Sequence, residues 1–87
     1  MESFRSQRFR KQYRKLPKPL QRRVIERLEL FLRDPFNPLL ENHPLSGKYQ
    51  GQRSINITGD IRVIYYALND GNVVLLLVGT HHELYGS

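Results

Sequence analysis

The most constraining feature of the sequence is a run of six apolar residues, Val73 to Val78. A strand that is apolar on both sides is covered on both sides, so we expect this segment to lie centrally in a sheet. The run leads directly into Gly79-Thr80-His81-His82, which places an imidazole at the rim of that sheet. Because imidazole titrates near neutral pH, this rim is the first candidate for proton-transfer chemistry.

Two further strands are expected before this run. Ile55 and Ile57 alternate with the polar residues Ser54, Asn56 and Thr58, which predicts a half-buried strand. A second strand is expected from Ile61 to Leu68, and residues 2–5 are a candidate for a short edge strand. Turn signals bound these strands: Thr58-Gly59-Asp60 and Asn69-Asp70-Gly71-Asn72.

Two helices are expected in the first half of the chain. Phe9, Tyr13 and Leu16 recur at helical spacing, which predicts a short helix over residues 6–15. A longer helix follows Pro17 and ends at Asp34-Pro35, because the residue before a proline avoids the helical region. Its apolar stripe comprises Leu20, Val24, Ile25, Leu28, Phe31 and Leu32.

These elements predict a single α+β domain over residues 1–87. We expect a two-helix hairpin packed on one face of a small, mainly antiparallel sheet of three to four strands. The chain has no cysteine, which excludes disulfides and Cys-based zinc sites. No signal peptide and no membrane-spanning run are found, so a cytoplasmic protein without membrane contact is expected.

The positive charge is concentrated in the first part of the chain. Residues 1–27 carry ten Lys or Arg and two Glu, whereas residues 28–87 carry four Lys or Arg and six acidic residues. A clustered basic face attracts polyanions, which favours a nucleic-acid partner. The alternatives are a solvated helix face and a docking surface for an acidic protein.

Three segments in the second half resemble one family of toxins. These are residues 43–53, beginning His43-Pro44-Leu45-Ser46-Gly47, residues 59–65, and residues 79–85. Together they resemble the RelE/ParE superfamily of type II toxin–antitoxin toxins, most closely its YafQ-like branch. The helical half is similar too, so the resemblance covers about residues 5–85. It implies the RelE-like microbial RNase fold.

The resemblance implies an mRNA interferase, a toxin that enters the ribosomal 30S A site and cuts the exposed mRNA codon. Such an endoribonuclease is held inactive by a cognate antitoxin. The implied chemistry is attack of the ribose 2′-OH on the adjacent phosphate, without a metal or another cofactor. This reaction needs a base, an acid and cationic stabilisation of the phosphorane. The implied partners are therefore the antitoxin, the ribosome with its rRNA, and mRNA.

The resemblance assigns catalytic roles to three residues. His81 is expected to be the acid that protonates the leaving 5′-oxygen, although a histidine at a strand end can also be purely structural. Asp60 either orients an imidazole or acts as the base, while ordinary turn chemistry is the alternative. His43 is catalytic or positions the RNA, and the choice of base between His43 and Asp60 stays open. His82 is expected to point to the opposite side of a strand and to have no role.

Phosphate and base contacts are assigned to a second group. Arg62 is the preferred cation, because a residue two positions after Asp60 should project to the same sheet face. The other members are Arg53, Lys48, Tyr85 and Asn56.

Asn56 stands where YafQ-like toxins usually have a histidine. An asparagine forms hydrogen bonds but cannot shuttle a proton, so a shorter proton relay is expected. Two alternatives to the nuclease remain at this point: a ParE-like toxin that poisons DNA gyrase, and an inactive basic binding module.

Overall fold

The computed structural model describes residues 1–86 of the chain. The helices and strands are, in chain order, β1 (Ser3–Arg5), α1 (Gln7–Lys15), α2 (Lys18–Arg33), β2 (His43–Pro44), β3 (Arg53–Asn56), β4 (Ile61–Ala67), β5 (Val73–Thr80) and α3 (His81–Tyr85). Two short 3-10 helices, Pro38–Leu40 and Gly47–Tyr49, lie between α2 and β3. No helix within the described residues is long and apolar enough to cross a membrane.

The sheet has five strands in the order β1-β5-β4-β3-β2. β1 pairs with β5 in parallel, and every other neighbouring pair is antiparallel. The α+β class and the mainly antiparallel sheet are confirmed, including the edge strand near the start of the chain. The sheet is larger than predicted because β2, a strand of two residues, forms inside the Pro- and Gly-rich loop. The apolar strand β5 has a neighbour on each side, as predicted.

The helix hairpin begins and ends where local signals place it. The Ser6 hydroxyl caps α1 by accepting a hydrogen bond from the Phe9 amide at 3.0 Å. α2 carries a proline in its first turn and ends at Arg33, with Asp34 as its C-cap residue. The Gln21 side-chain amide donates to the carbonyl oxygens of Tyr13 and Leu16, both at 3.0 Å, and so ties the two helices together.

One face of the sheet packs against α1 and α2, and we call it the helix face. Phe9, Val24 and Phe31 are almost fully buried against strand residues of this face. The Phe31 ring meets the Tyr65 ring edge-on, with centroids 4.8 Å apart. Burial of large apolar side chains is the main source of folding free energy, so the core lies on this face.

The other face of the sheet, which we call the opposite face, carries a polar row. Asn56, Arg62 and Gly79 are register partners across β3, β4 and β5. Their neighbours Ile55, Val63 and Val78 belong to the core cluster. Since successive side chains of a strand point to opposite faces, the polar row lies away from the hairpin.

Two expectations are corrected on the opposite face, part of which is covered by α3. The alternation of residues 54–58 predicts Ser54 on the exposed side of its strand, but Ser54 is fully buried. His82 lies in a helix rather than a strand. The helical position of His82 follows from the chain folding back after Gly79, where an added Cβ would lie 3.0 Å from the Glu83 carboxylate and 3.5 Å from Leu84. The Tyr49 hydroxyl donates to the Leu84 carbonyl at 2.6 Å and holds α3 in place.

Candidate active site

A cavity of about 410 Å³ opens beside α3 on the opposite face. Its lining residues come from the loop after α2, from three strands and from α3: Glu41, His43, Leu45, Asn56, Arg62, His81 and Tyr85. Segments far apart in the sequence, such as His43 on β2 and His81 at the start of α3, thus meet in one site. Convergent polar groups in one cavity are the usual form of a binding or catalytic site.

The imidazole of His43 is held in one orientation by the main chain. Its Nδ1 lies 2.7 Å from the carbonyl oxygen of Glu41. A carbonyl oxygen only accepts hydrogen bonds, so Nδ1 carries the proton in this contact. In the neutral imidazole, Nε2 then has the free lone pair. His43 is therefore arranged to accept a proton at Nε2.

The second imidazole, His81, is the first residue of α3. Thr80 caps this helix: its hydroxyl accepts from the Glu83 amide at 3.0 Å, and the Glu83 carboxylate accepts from the Thr80 amide at 2.7 Å. The His81 ring lies 4.6 Å from the Tyr85 ring, one helical turn away. The Tyr85 ring in turn meets Tyr49 edge-on at 5.7 Å. The capping box and the two tyrosines together fix the start of α3.

Arg62 supplies the positive charge of the cavity. Its Nη1 donates to the carbonyl oxygens of Thr58 at 3.0 Å and of Gly59 at 3.1 Å, in the turn between β3 and β4. These contacts hold the guanidinium on the cavity side of the sheet. Within residues 1–86, Nε and Nη2 make no hydrogen bond. A planar guanidinium with free donors is suited to bind a phosphate.

Glu41 and Asn56 form the remaining polar pair. The Asn56 side-chain amide donates to Oε2 of Glu41. Glu41 thus contacts Asn56 with its carboxylate and His43 with its carbonyl oxygen. Sequence reasoning missed Glu41, because a lone glutamate in a loop carries no motif. The only hint was the unusual asparagine at position 56, which has the glutamate as its partner.

Residues 1–86 match the family of bacterial toxins of type II toxin–antitoxin systems named YafQ. The chain belongs to this YafQ family. The predicted resemblance is thereby confirmed over all described residues. Among curated proteins, no sequence matches the chain.

Solved structures show the same fold. YafQ from E. coli strain BL21(DE3) is 22% identical, with 98% of both chains covered and a TM-score of 0.82. A YoeB/ParE toxin from Agrobacterium tumefaciens is 19% identical, covering 93% of this chain and 99% of that one, with a TM-score of 0.76. The toxin–antitoxin complex RelBE2 from Mycobacterium tuberculosis contains a chain that is 23% identical, covering 92% of this chain and 96% of that one, also with a TM-score of 0.76.

Asp60 lies outside the cavity lining of this YafQ-family chain. The expectation that Asp60 and Arg62 share a sheet face is not met, because β4 begins at Ile61 and Asp60 belongs to the preceding turn. The Asp60 carbonyl oxygen accepts from the His81 amide at 3.0 Å. Its main chain therefore supports the position of His81, while a catalytic role of its carboxylate stays a prediction.

Arg53 and Lys48 also lie outside the lining. Arg53 shares the face of Ile55, since it lies two residues before it in β3. Its Nε donates to Asn42 at 2.8 Å and its guanidinium lies 5.4 Å from the Phe36 ring. Lys48 lies with its ammonium 5.1 Å from the ring of Tyr49. Arg53 thus belongs to the helix face. Lys48 lies beside Tyr49, whose hydroxyl group binds α3.

Metal binding was not predicted for this site. Among residues 1–86, no three His, Asp or Glu side chains are grouped so that they could hold a metal ion. The metal-independent mechanism remains a prediction.

Proposed function

We propose that this toxin is a ribosome-dependent endoribonuclease that cuts mRNA in the 30S A site and so inhibits translation. The observation that carries the proposal is the pair of imidazoles, His43 and His81, which line the same cavity together with Arg62. Cleavage of RNA through its own 2′-OH requires one group that removes a proton and one that returns it. Two histidines beside a cation provide this minimum set.

His43 is the general base in this proposal. Its Nδ1 is occupied by the Glu41 carbonyl, so Nε2 is the nitrogen that takes the proton from the ribose 2′-OH. The oxygen then bonds to the adjacent phosphorus to form a phosphorane. The choice of His43 rather than Asp60 as the base is supported by the lining of the cavity, which includes His43 and not Asp60.

His81 is the general acid and Arg62 the stabilising cation. The protonated imidazole of His81 gives its proton to the 5′-oxygen as the bond from that oxygen to phosphorus breaks. Nε and Nη2 of Arg62 donate to the phosphorane oxygens, whose charge grows in the transition state. The products are a 2′,3′-cyclic phosphate and a free 5′-OH, and the base and acid have exchanged their protonation states.

Tyr85 and Asn56 bind the RNA beside the reacting phosphate. Tyr85 presents an aromatic ring at the cavity wall, where a nucleobase can stack. Asn56 donates one amide hydrogen to Glu41 and keeps further hydrogen-bonding capacity for the RNA. Lys48 remains a candidate for contact with the RNA backbone beyond the cavity. Arg53, whose guanidinium is bound to Asn42 on the helix face, is assigned to the fold instead.

The proposed partners are the ribosome and a cognate antitoxin, in the cytoplasm. The basic hairpin faces away from the cavity, so it is free to contact rRNA while mRNA occupies the site. The antitoxin is inferred from the family, whose description is a toxin of a type II toxin–antitoxin system. The solved RelBE complexes contain such a partner for their own toxins.

The proposal is tested by mapping mRNA 5′ ends by primer extension on ribosomes programmed in vitro. The wild-type protein is compared with His43→Gln, His81→Ala and the control His82→Ala, since His82 is an exposed neighbour on α3 outside the cavity lining. We expect cuts inside the A-site codon that disappear in the first two variants and persist in the control. Cuts that survive both substitutions would overturn the site.

An inactive binding module is the second candidate, because Asn56 replaces the usual histidine. Absence of cutting by the wild-type protein, together with retained ribosome binding, would favour this candidate. Absence of cutting with inhibition of DNA gyrase would favour the ParE-like function. If the Asn56→His variant cuts mRNA and the wild-type protein does not, the asparagine is the cause of the inactivity.

A further inference from the structure

Glu41 has an unusual backbone conformation at the edge of the cavity. With φ 45° and ψ 46°, it adopts the left-handed helical region. It is the only non-glycine residue within residues 1–86 that has a positive φ. A side chain with a β-carbon is disfavoured in this region, and such residues are concentrated at functional sites. The conformation therefore calls for contacts that hold it.

Three hydrogen bonds hold Glu41: its amide donates to the carbonyl oxygen of Pro38 at 3.2 Å, and its carboxylate and its carbonyl oxygen each accept one. Its carboxylate accepts from the Asn56 amide on β3, and its carbonyl oxygen accepts from Nδ1 of His43 on β2. The left-handed turn at position 41 allows both contacts at once, because it turns the main chain at the end of the 3-10 helix Pro38–Leu40. Glu41 is thus a bridge between a neighbouring strand and the imidazole.

His43 has little other support. It is exposed and lies on a strand of only two residues at the edge of the sheet. Packing therefore does not decide the orientation of its ring, and the hydrogen bond to Glu41 must do so. A carboxylate in this cavity also repels RNA phosphate, which argues against Glu41 as a direct ligand of the RNA backbone.

We propose that Glu41 is a positioning residue that sets the tautomer and orientation of His43, and that Asn56 anchors it. The proposal rests on the proposed function for its effect on cleavage, but not for its effect on the imidazole. It also explains why an asparagine suits position 56, since an amide donates to the carboxylate without exchanging a proton with it. The glutamate and the asparagine then act as a pair.

The direct test is the ring ¹⁵N NMR spectrum of His43, assigned by its loss in His43→Gln. We expect the Nδ1–H tautomer in the wild-type protein and a mixture with Nε2–H in Glu41→Ala. Glu41→Gln should keep most of the Nδ1–H form, because its amide oxygen still accepts from Asn56. The control variant is Glu29→Ala, which also removes one negative charge, but from α2. It should leave the spectrum unchanged. An unchanged tautomer in Glu41→Ala would overturn the proposal.

Cleavage on programmed ribosomes is the second measurement on the same variants. We expect Glu41→Ala to lose activity on the order of 10- to 100-fold, as for a misplaced catalytic group, with substantial rescue in Glu41→Gln. The double variant Glu41→Ala/Asn56→Ala should cut mRNA no more slowly than the slower of the two single variants. Both substitutions break the same hydrogen bond, the one between Asn56 and Glu41. Strictly additive losses would overturn the pairing. If Glu41→Ala changes the tautomer but the wild-type protein does not cut mRNA, the positioning role is supported and the nuclease function is contradicted.

Discussion

The two faces of the sheet are built in different ways. The helix face is formed by apolar side chains such as Ile55, Val63 and Val78, all almost fully buried in the core that this face shares with α1 and α2. The opposite face and α3, which packs on it, carry exposed or half-exposed polar residues, including His43, Arg62 and His81. A side chain that is held by packing stabilises the fold, whereas one that is held by a few hydrogen bonds remains available to a substrate.

This difference separates stability from chemistry. Changes on the helix face should reduce the free energy of unfolding and leave the rate per folded molecule intact. Changes around the cavity should reduce the rate per folded molecule and leave the free energy of unfolding intact. The clearest exception is Gly79, where α3 packs on the sheet. A change at this position should affect both the position of His81 and the burial of Leu84.

The largest effect is expected from the histidines of the cavity. His43→Gln and His81→Ala should each slow single-turnover cleavage roughly 10²- to 10⁴-fold, the usual contribution of a general acid or base. Because both side chains are exposed, the free energy of unfolding in urea should change by no more than about 0.5 kcal/mol. A loss of stability that matches the loss of rate would remove the distinction between the faces.

Phe31→Ala is expected to have a large effect on the free energy of unfolding rather than on the rate of cleavage. Phe31 is 1% exposed and contacts the Tyr65 ring in the core. Its truncation should lower the free energy of unfolding by about 3–5 kcal/mol. Urea denaturation followed by circular dichroism measures the loss. Cleavage per folded molecule, measured at a temperature where the variant is folded, should remain close to the wild-type value.

Gly79→Val should affect both properties. The added side chain meets the Glu83 carboxylate, which completes the capping box of α3. Overpacking of this kind costs about 1–3 kcal/mol, and displacement of α3 should slow cleavage as well. Chemical denaturation and cleavage assays on one preparation test the coupling. Normal activity in a destabilised variant would show that α3 keeps its position without the glycine.

Asp60→Asn should slow cleavage less than either histidine substitution. The Asp60 carboxylate does not line the cavity, and the main-chain contact with His81 is kept in this variant. Single-turnover rates for the three variants, measured side by side, give the order. A loss as large as that of His81→Ala would restore the catalytic role that the family resemblance implies for this carboxylate.

The smallest effect is expected on the outer surface of the helix hairpin. Arg8 and Lys11 are exposed cations of α1. If they contact rRNA, replacing both with glutamine should reduce the salt dependence of ribosome binding by about 0.7 log units per log unit of salt for each lost contact. Cleavage on saturated ribosomes should not change. An unaltered salt dependence would instead make the hairpin a docking surface for the antitoxin.

Local patterns were sufficient for most of the fold. The apolar stripe and the flanking prolines predicted α2, and the run from Val73 predicted an interior strand. Each of these signals acts over a few residues. The strand β2 and the helix α3 were missed, because each has five residues or fewer and depends on contacts with distant segments. The burial of Ser54 was missed for the same reason.

The amino-acid sequence was enough to assign the α+β class, the basic hairpin and the toxin family, and it identified His43, His81 and Arg62 as candidates. Which candidates meet depends on the folded chain, because the register of β2, β3 and β4 sets which polar side chains share the cavity. The folded chain separates Asp60, Arg53 and Lys48 from that cavity and adds Glu41. The physical reason is the range of the forces: periodicity and capping act within a few residues, whereas a site depends on long-range packing and strand register.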